Sequence, residues 1–373
     1  MSVDLAFATG AEARLRVLLL TSIPYAPLEA AAARGDGPRP MVAEELRRDH
    51  GIDVDVVDPG LGWTNPFRKS HPFFRGLDPA RALGTMLWRR DYDLVVSGND
   101  GAAVSLIALR GLFRFRTPIV VWDLSPAEAW RVRVIAQNWT LPRVDGVIAV
   151  NDIQQPYIAE RWGRHVPVVT VHHWVDTEFY RPLPCPCSAD GPVFAIGDDG
   201  GRDYATFLRA LEGLEAPVAI RTGLPLVLTG DHARVSLLRE RLSPSGLRDL
   251  YTKSRFAVVP LRPDTRNASG NSALLEAAAM GKAVIVSDSD GVRGFVRHGE
   301  TGLVVPARDP AALRAAIARL LADPEACARM GRNARDLVER TASAGVFAAR
   351  LAAAFRKLAV SPARRGGMAP PVR

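Results

Sequence analysis

The chain has 373 residues, of which 47% are hydrophobic and 24% charged, as expected for globular protein with room for two domains. No apolar run approaches the roughly 18 residues that span a bilayer, the first thirteen residues carry no cation of a signal peptide, and there are only three cysteines. We therefore expect a cytoplasmic protein, and these features argue against a membrane-spanning protein or a disulfide-rich secreted domain.

The net charge of +8 is carried by the second half of the chain. Residues 1–180 hold 20 Arg and Lys against 21 Asp and Glu, whereas residues 181–373 hold 28 against 19. A basic half can attract an anionic ligand or an anionic membrane. Its cations are scattered and not interleaved with aromatic residues, so we expect no nucleic-acid partner.

Short runs rich in Val and Ile, separated by amphipathic helical stretches, predict a parallel α/β sheet in the first half. The predicted strands are Arg14–Leu20, Ile52–Val57, Asp93–Ser97, Pro118–Trp122 and Gly146–Val150, and the helical stretches include Pro79–Arg89 and Ala127–Trp139. The proline-rich stretch Phe179–Pro192 is typical of an interdomain linker.

The same alternation restarts after this linker. The predicted strands are Val193–Ile196, Val218–Arg221, Phe256–Pro260 and Ala283–Val286. The predicted helices are Tyr204–Leu214, Pro244–Lys253 capped by Ser243, a helix capped by Asp309 that ends near Leu321, and Ala344–Leu358. The tail 361–373, rich in Pro, Gly and Arg, is predicted to be disordered.

Residues 267–306 carry the most informative pattern. The small residues Ser269, Gly270 and Asn271 open a helix that ends at Gly281, and Glu276 lies less than two helical turns from its start. Short side chains at a helix start leave backbone N–H groups uncovered, and the helix dipole favours an anion such as a phosphate there. A helix start for a diphosphate, with a carboxylate behind it for a sugar hydroxyl, is the chemistry of binding a nucleotide-sugar.

Taken in order, these elements resemble the large family 4 of glycosyltransferases, in which the GT-B fold sets two Rossmann-like domains face to face. The similarity covers about Arg14–Leu358 and is strongest at His172–Pro182 and Asn267–Gly331. It implies a Rossmann-like acceptor domain (1–180), a Rossmann-like nucleotide-sugar domain (181–345) and a C-terminal helix (346–360) that packs back toward the first domain. It also implies a retaining transfer of a sugar from a nucleotide-sugar donor, with no cofactor and no metal.

The resemblance assigns roles to five residues at the donor. Gly270, Asn271 and Ser272 form the helix start that holds the diphosphate, and Glu276 holds the nucleotide ribose. Arg202 stands where the family usually has a diphosphate-binding lysine, and its guanidinium keeps the charge and suits paired phosphate oxygens. The alternatives are a water-facing helix carboxylate for Glu276 and a surface arginine in a Gly-rich turn for Arg202.

Asp123, which follows a predicted strand at the cleft side of the first domain, is the candidate catalytic residue. The alternative is a capping residue for the helix after Pro126. The sequence departs from the family pattern at two positions. Trp122 stands where the family usually has a His, and Ala268 stands where it usually has the Glu that contacts the donor sugar. In a retaining transfer the leaving phosphate can itself receive the acceptor proton, so a side-chain base is not strictly required.

Two functions therefore stay open. The first is an active glycosyltransferase in polysaccharide, glycolipid or natural-product biosynthesis, and the second is a non-catalytic nucleotide-sugar binder. A nucleotide-sugar epimerase on the same fold is a third and minor option. The acceptor is unknown from the sequence.

Two segments, Arg68–Arg75 and Arg110–Arg116, combine cations with large apolar side chains. Such segments can rest on the inner face of an anionic membrane and would suit a lipid-linked acceptor. The alternative is a pair of loops whose aromatic side chains point inward.

Three Asp-x-Asp pairs (Asp53/Asp55, Asp91/Asp93 and Asp288/Asp290) and the pair His172–His173 could suggest metal ligands. We expect no metal at any of them, because the aspartates adjoin strands and the histidines have no third ligand with suitable spacing. The histidines are interpreted as interdomain packing or cleft residues, and Lys282 as a solvated residue at a helix end.

Overall fold

The computed structural model describes residues 14–59, 77–88, 91–122, 131–183, 191–229, 232–263, 269–292 and 294–360. The tail 361–373, for which disorder is predicted, lies outside these ranges, as does the segment Arg68–Arg75.

Strands of the first half form one parallel sheet. They are β1 (Leu15–Leu20), β2 (Ile52–Val57), β3 (Leu94–Ser97), β4 (Ile119–Trp122), β5 (Gly146–Ala149) and β6 (Val168–Thr170), and they lie in the order β2-β1-β3-β4-β5-β6. The helices of this half are α1 (Ala26–Ala33), α2 (Ala43–His50), α3 (Pro79–Trp88), α4 (Asp100–Arg110), α5 (Arg131–Thr140) and α6 (Gln154–Trp162).

Strands of the second half form another parallel sheet. They are β7 (Val193–Ile196), β8 (Val218–Arg221), β9 (Val235–Leu238), β10 (Ala257–Val259), β11 (Val284–Ser287) and β12 (Gly302–Val305), in the order β12-β11-β10-β7-β8-β9. The helices are α7 (Tyr204–Leu211), α8 (Pro244–Lys253), α9 (Asn271–Ala279), α10 (Pro310–Ala322), α11 (Pro324–Thr341) and α12 (Ala344–Ala359).

Both sheets are covered by helices on both faces, which is why their strands are almost continuously apolar. On one face of the first sheet, β-strand residues such as Leu18 and Val95 pack with α3, α4 and α6. On the other face they pack with α2 and with Phe347, Leu351 and Phe355 of α12. The last helix of the chain therefore belongs to the core of the first sheet.

The strand order reverses once in each sheet, between β1 and β3 and between β7 and β10. At such a reversal the connections leave in opposite directions and open a crevice at the carboxyl ends of the strands, where α/β proteins bind ligands. The fold thus provides two crevices, one in each half of the chain. The predicted α/β architecture with two Rossmann-like sheets is confirmed.

The predicted strands all correspond to observed strands, and the two predicted caps are confirmed. Ser243 accepts a hydrogen bond from Gly246 N at 3.0 Å, and Asp309 accepts one from Ala312 N at 2.9 Å. The strands β6, β9 and β12 and the long helix α11 were not predicted. All three strands lie at sheet edges, and β6 and β9 are only half-buried or exposed.

Candidate functional site

A pocket of about 360 Å³ lies at the strand reversal of the second sheet. It is bounded by the loop after β7 and by the start of α9. Four of the five predicted donor-binding residues line it: Arg202, Gly270, Ser272 and Glu276. The fold therefore brings together residues that are up to 74 positions apart, counted from Arg202 to Glu276.

Gly270 opens α9 in a left-handed conformation, with φ of 84°. A Cβ atom at this position would lie 2.9 Å from Val259 Cγ1 and 3.1 Å from Leu261 Cδ2. A glycine is thus required for both its backbone angle and its close packing on the end of β10. Because glycine has no side chain, this N-cap residue leaves the first turn of α9 uncovered.

The first turn of α9 presents backbone N–H groups toward the pocket, because intrahelical bonding begins with Leu274 N to Gly270 O at 2.9 Å. Ser272, the second helical residue, is exposed and lines the pocket. Asn271 is buried, and neither polar atom of its side chain has a hydrogen-bond partner among the described residues. Asn271 therefore contributes its backbone to the helix start, and its side chain is not among the lining groups.

Arg202 is held in a buried position by the Gly-rich loop that follows β7. Its Nε donates to Asp199 Oδ2 at 3.1 Å, and its side chain is only 5% exposed. A Cβ on Gly197 would overlap the guanidinium, so this glycine makes room for it. Nη1 is buried without a hydrogen-bond partner in the described part of the chain. The arginine is therefore not an ordinary surface residue, and it keeps a donor free for a ligand.

Glu276 lies half-buried between two tyrosines. The Tyr251 hydroxyl is 3.2 Å from Glu276 Oε2 and 3.1 Å from Ala273 O, and the Tyr180 hydroxyl also bonds to the carboxylate. Burial raises the pKa of Glu276 to about 7, although both tyrosine hydrogen bonds and the charge of Arg202 act in the opposite direction. The carboxylate is therefore not a simple water-facing group.

The strand reversal of the first sheet holds a second pocket, of about 230 Å³. Its wall contains a stack of three aromatic rings: Trp122 lies 6.1 Å from Phe347, and Trp174 lies 5.5 Å from it, between ring centroids. Thr21 lines the same pocket and its Oγ1 lies 3.2 Å from Asp58 Oδ1. The pocket combines flat apolar surfaces with a few hydroxyl groups.

The candidate catalytic residue Asp123 follows this pocket directly in sequence but lies outside the described residues, and so does Ala268. Trp122, which stands where the family usually has a histidine, ends β4 and lines the pocket. His173 lines it too. His172 packs edge-on against Phe295 of the second half, with 6.0 Å between ring centroids, and so spans the two halves.

The prediction for Lys282 was wrong. Its side chain is buried, and Nζ donates to Thr252 O at 3.0 Å and to Ser254 O at 2.8 Å. These carbonyls lie at the carboxyl end of α8, where a cation is favoured by the helix dipole. Lys282 therefore closes the end of α8 and is not a solvated helix residue.

Two of the Asp-x-Asp pairs lie near the amino ends of the strands in the first sheet, away from the pocket at the carboxyl ends. Asp53 pairs with Arg14 Nε at 2.8 Å, Asp93 accepts from Arg16 N at 2.9 Å, and Asp91 pairs with the Arg16 guanidinium. Among the described residues there is no group of three or more His, Cys, Asp or Glu side chains placed to hold a metal ion.

The sequence reasoning missed three residues that shape the donor pocket: Asp199, Tyr180 and Tyr251. Asp199 precedes Arg202 by three residues in a Gly-rich turn, which is a spacing that allows an ion pair and could have been noticed. Tyr180 and Tyr251 come from the linker and from α8, and no local pattern connects them with Glu276.

Comparison with known proteins agrees with this architecture. The sucrose-phosphate synthase tll1590 from Thermosynechococcus elongatus superimposes with a TM-score of 0.70 at 19% identity, covering 92% of this chain and 99% of that chain. Alr3699/HepE of Anabaena, in complex with UDP and glucose, superimposes with a TM-score of 0.64 at 16% identity, covering 92% and 100%. The fold is that of the GT-B glycosyltransferases.

The sequence comparisons identify the chain more closely. The family model described as "Glycosyl transferases group 1" matches residues 237–337, a range that contains Gly270 and Glu276. The lipopolysaccharide core biosynthesis mannosyltransferase LpcC of Rhizobium leguminosarum bv. viciae is 26% identical over 313 residues, which cover 76% of this chain and 82% of that protein. Among other curated relatives, two are matched over 40% and 51% of their length and one over 80%. The chain is a glycosyltransferase, and its residues 237–337 match the group 1 family model.

Proposed function

We propose that this glycosyltransferase binds a nucleotide-sugar in the pocket at the start of α9 and transfers the sugar, with retention and without a metal ion, to an acceptor in the aromatic pocket of the first half. The observation that carries this proposal is the meeting of Arg202, the open first turn of α9 and Glu276 in one pocket. HepE, which shares the fold, is bound to UDP and glucose in its own structure.

The diphosphate is assigned to the start of α9. The uncovered N–H groups of Asn271 and Ser272 and the dipole of the helix favour an anion there. The unpartnered Nη1 of Arg202 supplies a charge-assisted hydrogen bond to a phosphate oxygen. Together they neutralise the diphosphate, and we therefore propose that no metal ion is needed for this purpose.

The ribose is assigned to Glu276. Hydroxyl groups of a ribose donate hydrogen bonds to an ionised carboxylate, and Tyr180 and Tyr251 hold this carboxylate in one orientation. Glu276 lies on the same helix as the diphosphate-binding turn, so one rigid element positions both parts of the donor.

In the proposed transfer, the bond between the anomeric carbon and the diphosphate oxygen breaks, and a new bond forms from an acceptor hydroxyl to the same face of that carbon. The acceptor proton passes to the departing diphosphate oxygen. The largest contribution of the protein is to stabilise the charge that develops on this leaving group, through the first turn of α9 and Arg202. Asp123 stays the candidate catalytic residue.

For the acceptor, we propose a carbohydrate-containing molecule of surface-polysaccharide or glycolipid type. Aromatic rings such as Trp122 and Trp174 present flat apolar faces that suit the C–H face of a sugar ring. LpcC is named for lipopolysaccharide core biosynthesis, which supports the same class. A cytoplasmic location fits a nucleotide-sugar donor. Among the described residues, no helix is both long and apolar enough to cross a membrane.

A thermal-shift screen over UDP-, GDP- and ADP-sugars tests donor binding. A donor at about 100 times its dissociation constant should raise the free energy of unfolding by about 2.7 kcal/mol. Glu276→Ala should abolish the shift given by the best donor, whereas Glu215→Ala, at an exposed carboxylate, should leave it unchanged. A full shift in Glu276→Ala would remove this residue from the site.

Slow hydrolysis of the best donor without acceptor separates an active enzyme from a non-catalytic binder, which would show a thermal shift and no hydrolysis. Retention is tested by the anomeric configuration of the product in an NMR spectrum. Metal independence predicts that the rate is unchanged after treatment with EDTA, and a rate that EDTA abolishes and Mg²⁺ or Mn²⁺ restores would contradict it.

A further inference from the structure

The solvent-facing side of α3 is apolar along its length. Leu83, Leu87 and Trp88 are exposed, Trp88 to 78%. The charged residue of this helix, Arg81, is buried on the inner side, where Nη1 donates to Thr21 O at 2.7 Å. An ordinary surface helix carries charged and polar residues on its solvent-facing side. The solvent-facing side of α3 is therefore suited to contact with an apolar partner.

The two neighbouring helices continue this surface, since α3 packs against α4 and α4 against α5. Leu112, just after α4, is 76% exposed, and Ile135 and Trp139 of α5 are exposed as well. Of the ten exposed large hydrophobic side chains in the described residues, six lie on these adjacent helices or directly after α4, so they are concentrated in one layer. We call these six residues the apolar face: Leu83, Leu87, Trp88, Leu112, Ile135 and Trp139.

Within the described part of the chain, no acidic side chain neutralises the arginines that follow Leu112. Arg114 and Arg116 follow Leu112, are exposed, and form no ion pair with another described residue. The guanidinium of Arg143 lies 5.3 Å from the ring centroid of Trp139. The acidic Asp145 at the same edge is already paired with Arg110, at 2.9 Å.

Trp88, Leu112 and Trp139 lie at or just after the carboxyl ends of three adjacent helices, so they share one edge of the layer with the unpaired arginines. Protein surfaces that insert at the boundary between lipid headgroups and acyl chains typically combine tryptophan and leucine with arginine. A second copy of the chain is a poorer match, because a two-fold interface would bring the same arginines of both copies close together.

We propose that the apolar face rests on an anionic lipid bilayer, with its six side chains at the acyl boundary and with Arg114, Arg116 and Arg143 on the lipid phosphates. This goes beyond the sugar transfer and does not depend on the donor pocket, which lies in the other half of the chain. It assigns the membrane contact to the helical layer of α3, α4 and α5.

Co-sedimentation with vesicles tests the proposal. The wild-type chain should sediment with vesicles that contain phosphatidylglycerol and much less with phosphatidylcholine alone. Arg114→Gln with Arg116→Gln should weaken partition to the anionic vesicles about thirtyfold, at about 1 kcal/mol for each arginine near the surface. The matched control, Arg329→Gln with Arg332→Gln on α11, removes the same charge from exposed positions of the second half and should bind like the wild type.

A second pair of variants tests the apolar contact. Leu87→Gln with Trp88→Gln should weaken partition by at least about tenfold, whereas Val227→Gln with Val360→Gln, at exposed apolar positions elsewhere, should not. All four variants change exposed side chains, and an unchanged midpoint of thermal unfolding without ligand checks that they fold. Equal binding by test and control variants, or no binding of the wild type to either vesicle, would overturn the proposal. A wild-type dimer in light scattering that Leu87→Gln with Trp88→Gln dissociates would instead make the face an interface between copies.

Discussion

Glu276→Gln should remove a pH dependence of donor binding that we expect in the wild-type chain. Burial raises the pKa of Glu276 to about 7, and the ribose hydroxyls need the ionised carboxylate as an acceptor. At about pH 8 roughly nine-tenths of the carboxylates are ionised, and at about pH 6 roughly one-tenth. The dissociation constant of the donor should therefore rise about tenfold from pH 8 to pH 6, which is about 1.4 kcal/mol.

The stability of the unliganded chain should change with pH in the opposite direction. Because the pKa of Glu276 is raised in the folded state, folding favours the protonated carboxyl group. The stability that this preference adds is fully present below the ordinary pKa of 4.5 and is lost as the pH rises through about 7. Over that window the carboxylate lowers the free energy of unfolding by at most about 3 kcal/mol, since water partly reaches it. Glu276→Gln should not show this loss.

Calorimetric titration with the best nucleotide-sugar at several pH values between about 6 and 8 measures the first effect. The free nucleoside diphosphate is unsuitable, because its terminal phosphate itself titrates near pH 6. Glu215→Gln, at a carboxylate that is 84% exposed, is the matched control and should keep the wild-type profile. A wild-type dissociation constant that stays flat, or a tenfold change that persists in Glu276→Gln, would refute the reasoning.

Three further substitutions follow from the contacts around the site. Arg202→Gln should weaken donor binding about tenfold to a hundredfold, since a charge-assisted hydrogen bond to phosphate is lost, and Arg202→Lys should recover part of it in the same titration. Gly270→Ala should lower the free energy of unfolding by about 2–4 kcal/mol, because φ is 84° and Cβ meets Val259; an unchanged urea midpoint would contradict this. Lys282→Met should lower the free energy of unfolding by about 1–3 kcal/mol in the same experiment, because two carbonyls at the end of α8 lose the ammonium group that donates hydrogen bonds to them. The affinity for the nucleotide-sugar should stay the same.

The fold class and the start of α9 could be predicted from the sequence because both depend on short-range patterns. A buried parallel strand is a run of Val and Ile, and a helix that binds an anion begins with small residues, so both are visible in consecutive letters. The caps Ser243 and Asp309 were likewise predictable, because a cap bonds to a backbone group only three residues away. The strands β6, β9 and β12 were missed. All three are edge strands, and β6 and β9 are not fully buried, so their sequences lack the continuous apolar run of a central parallel strand.

The sequence by itself therefore determined which local elements form and which residue types could bind a nucleotide-sugar. Only the tertiary structure decided that Tyr180 and Tyr251 hold Glu276, that Arg202 is buried against Asp199, and that Lys282, from the connection between α9 and β11, closes α8. These contacts join elements that are far apart along the chain, and burial, which raises the pKa of Glu276, arises only when those elements pack together. A local sequence pattern does not specify which distant residues will pack against it. The sequence could therefore identify Glu276 as a candidate ligand but could not predict its buried environment.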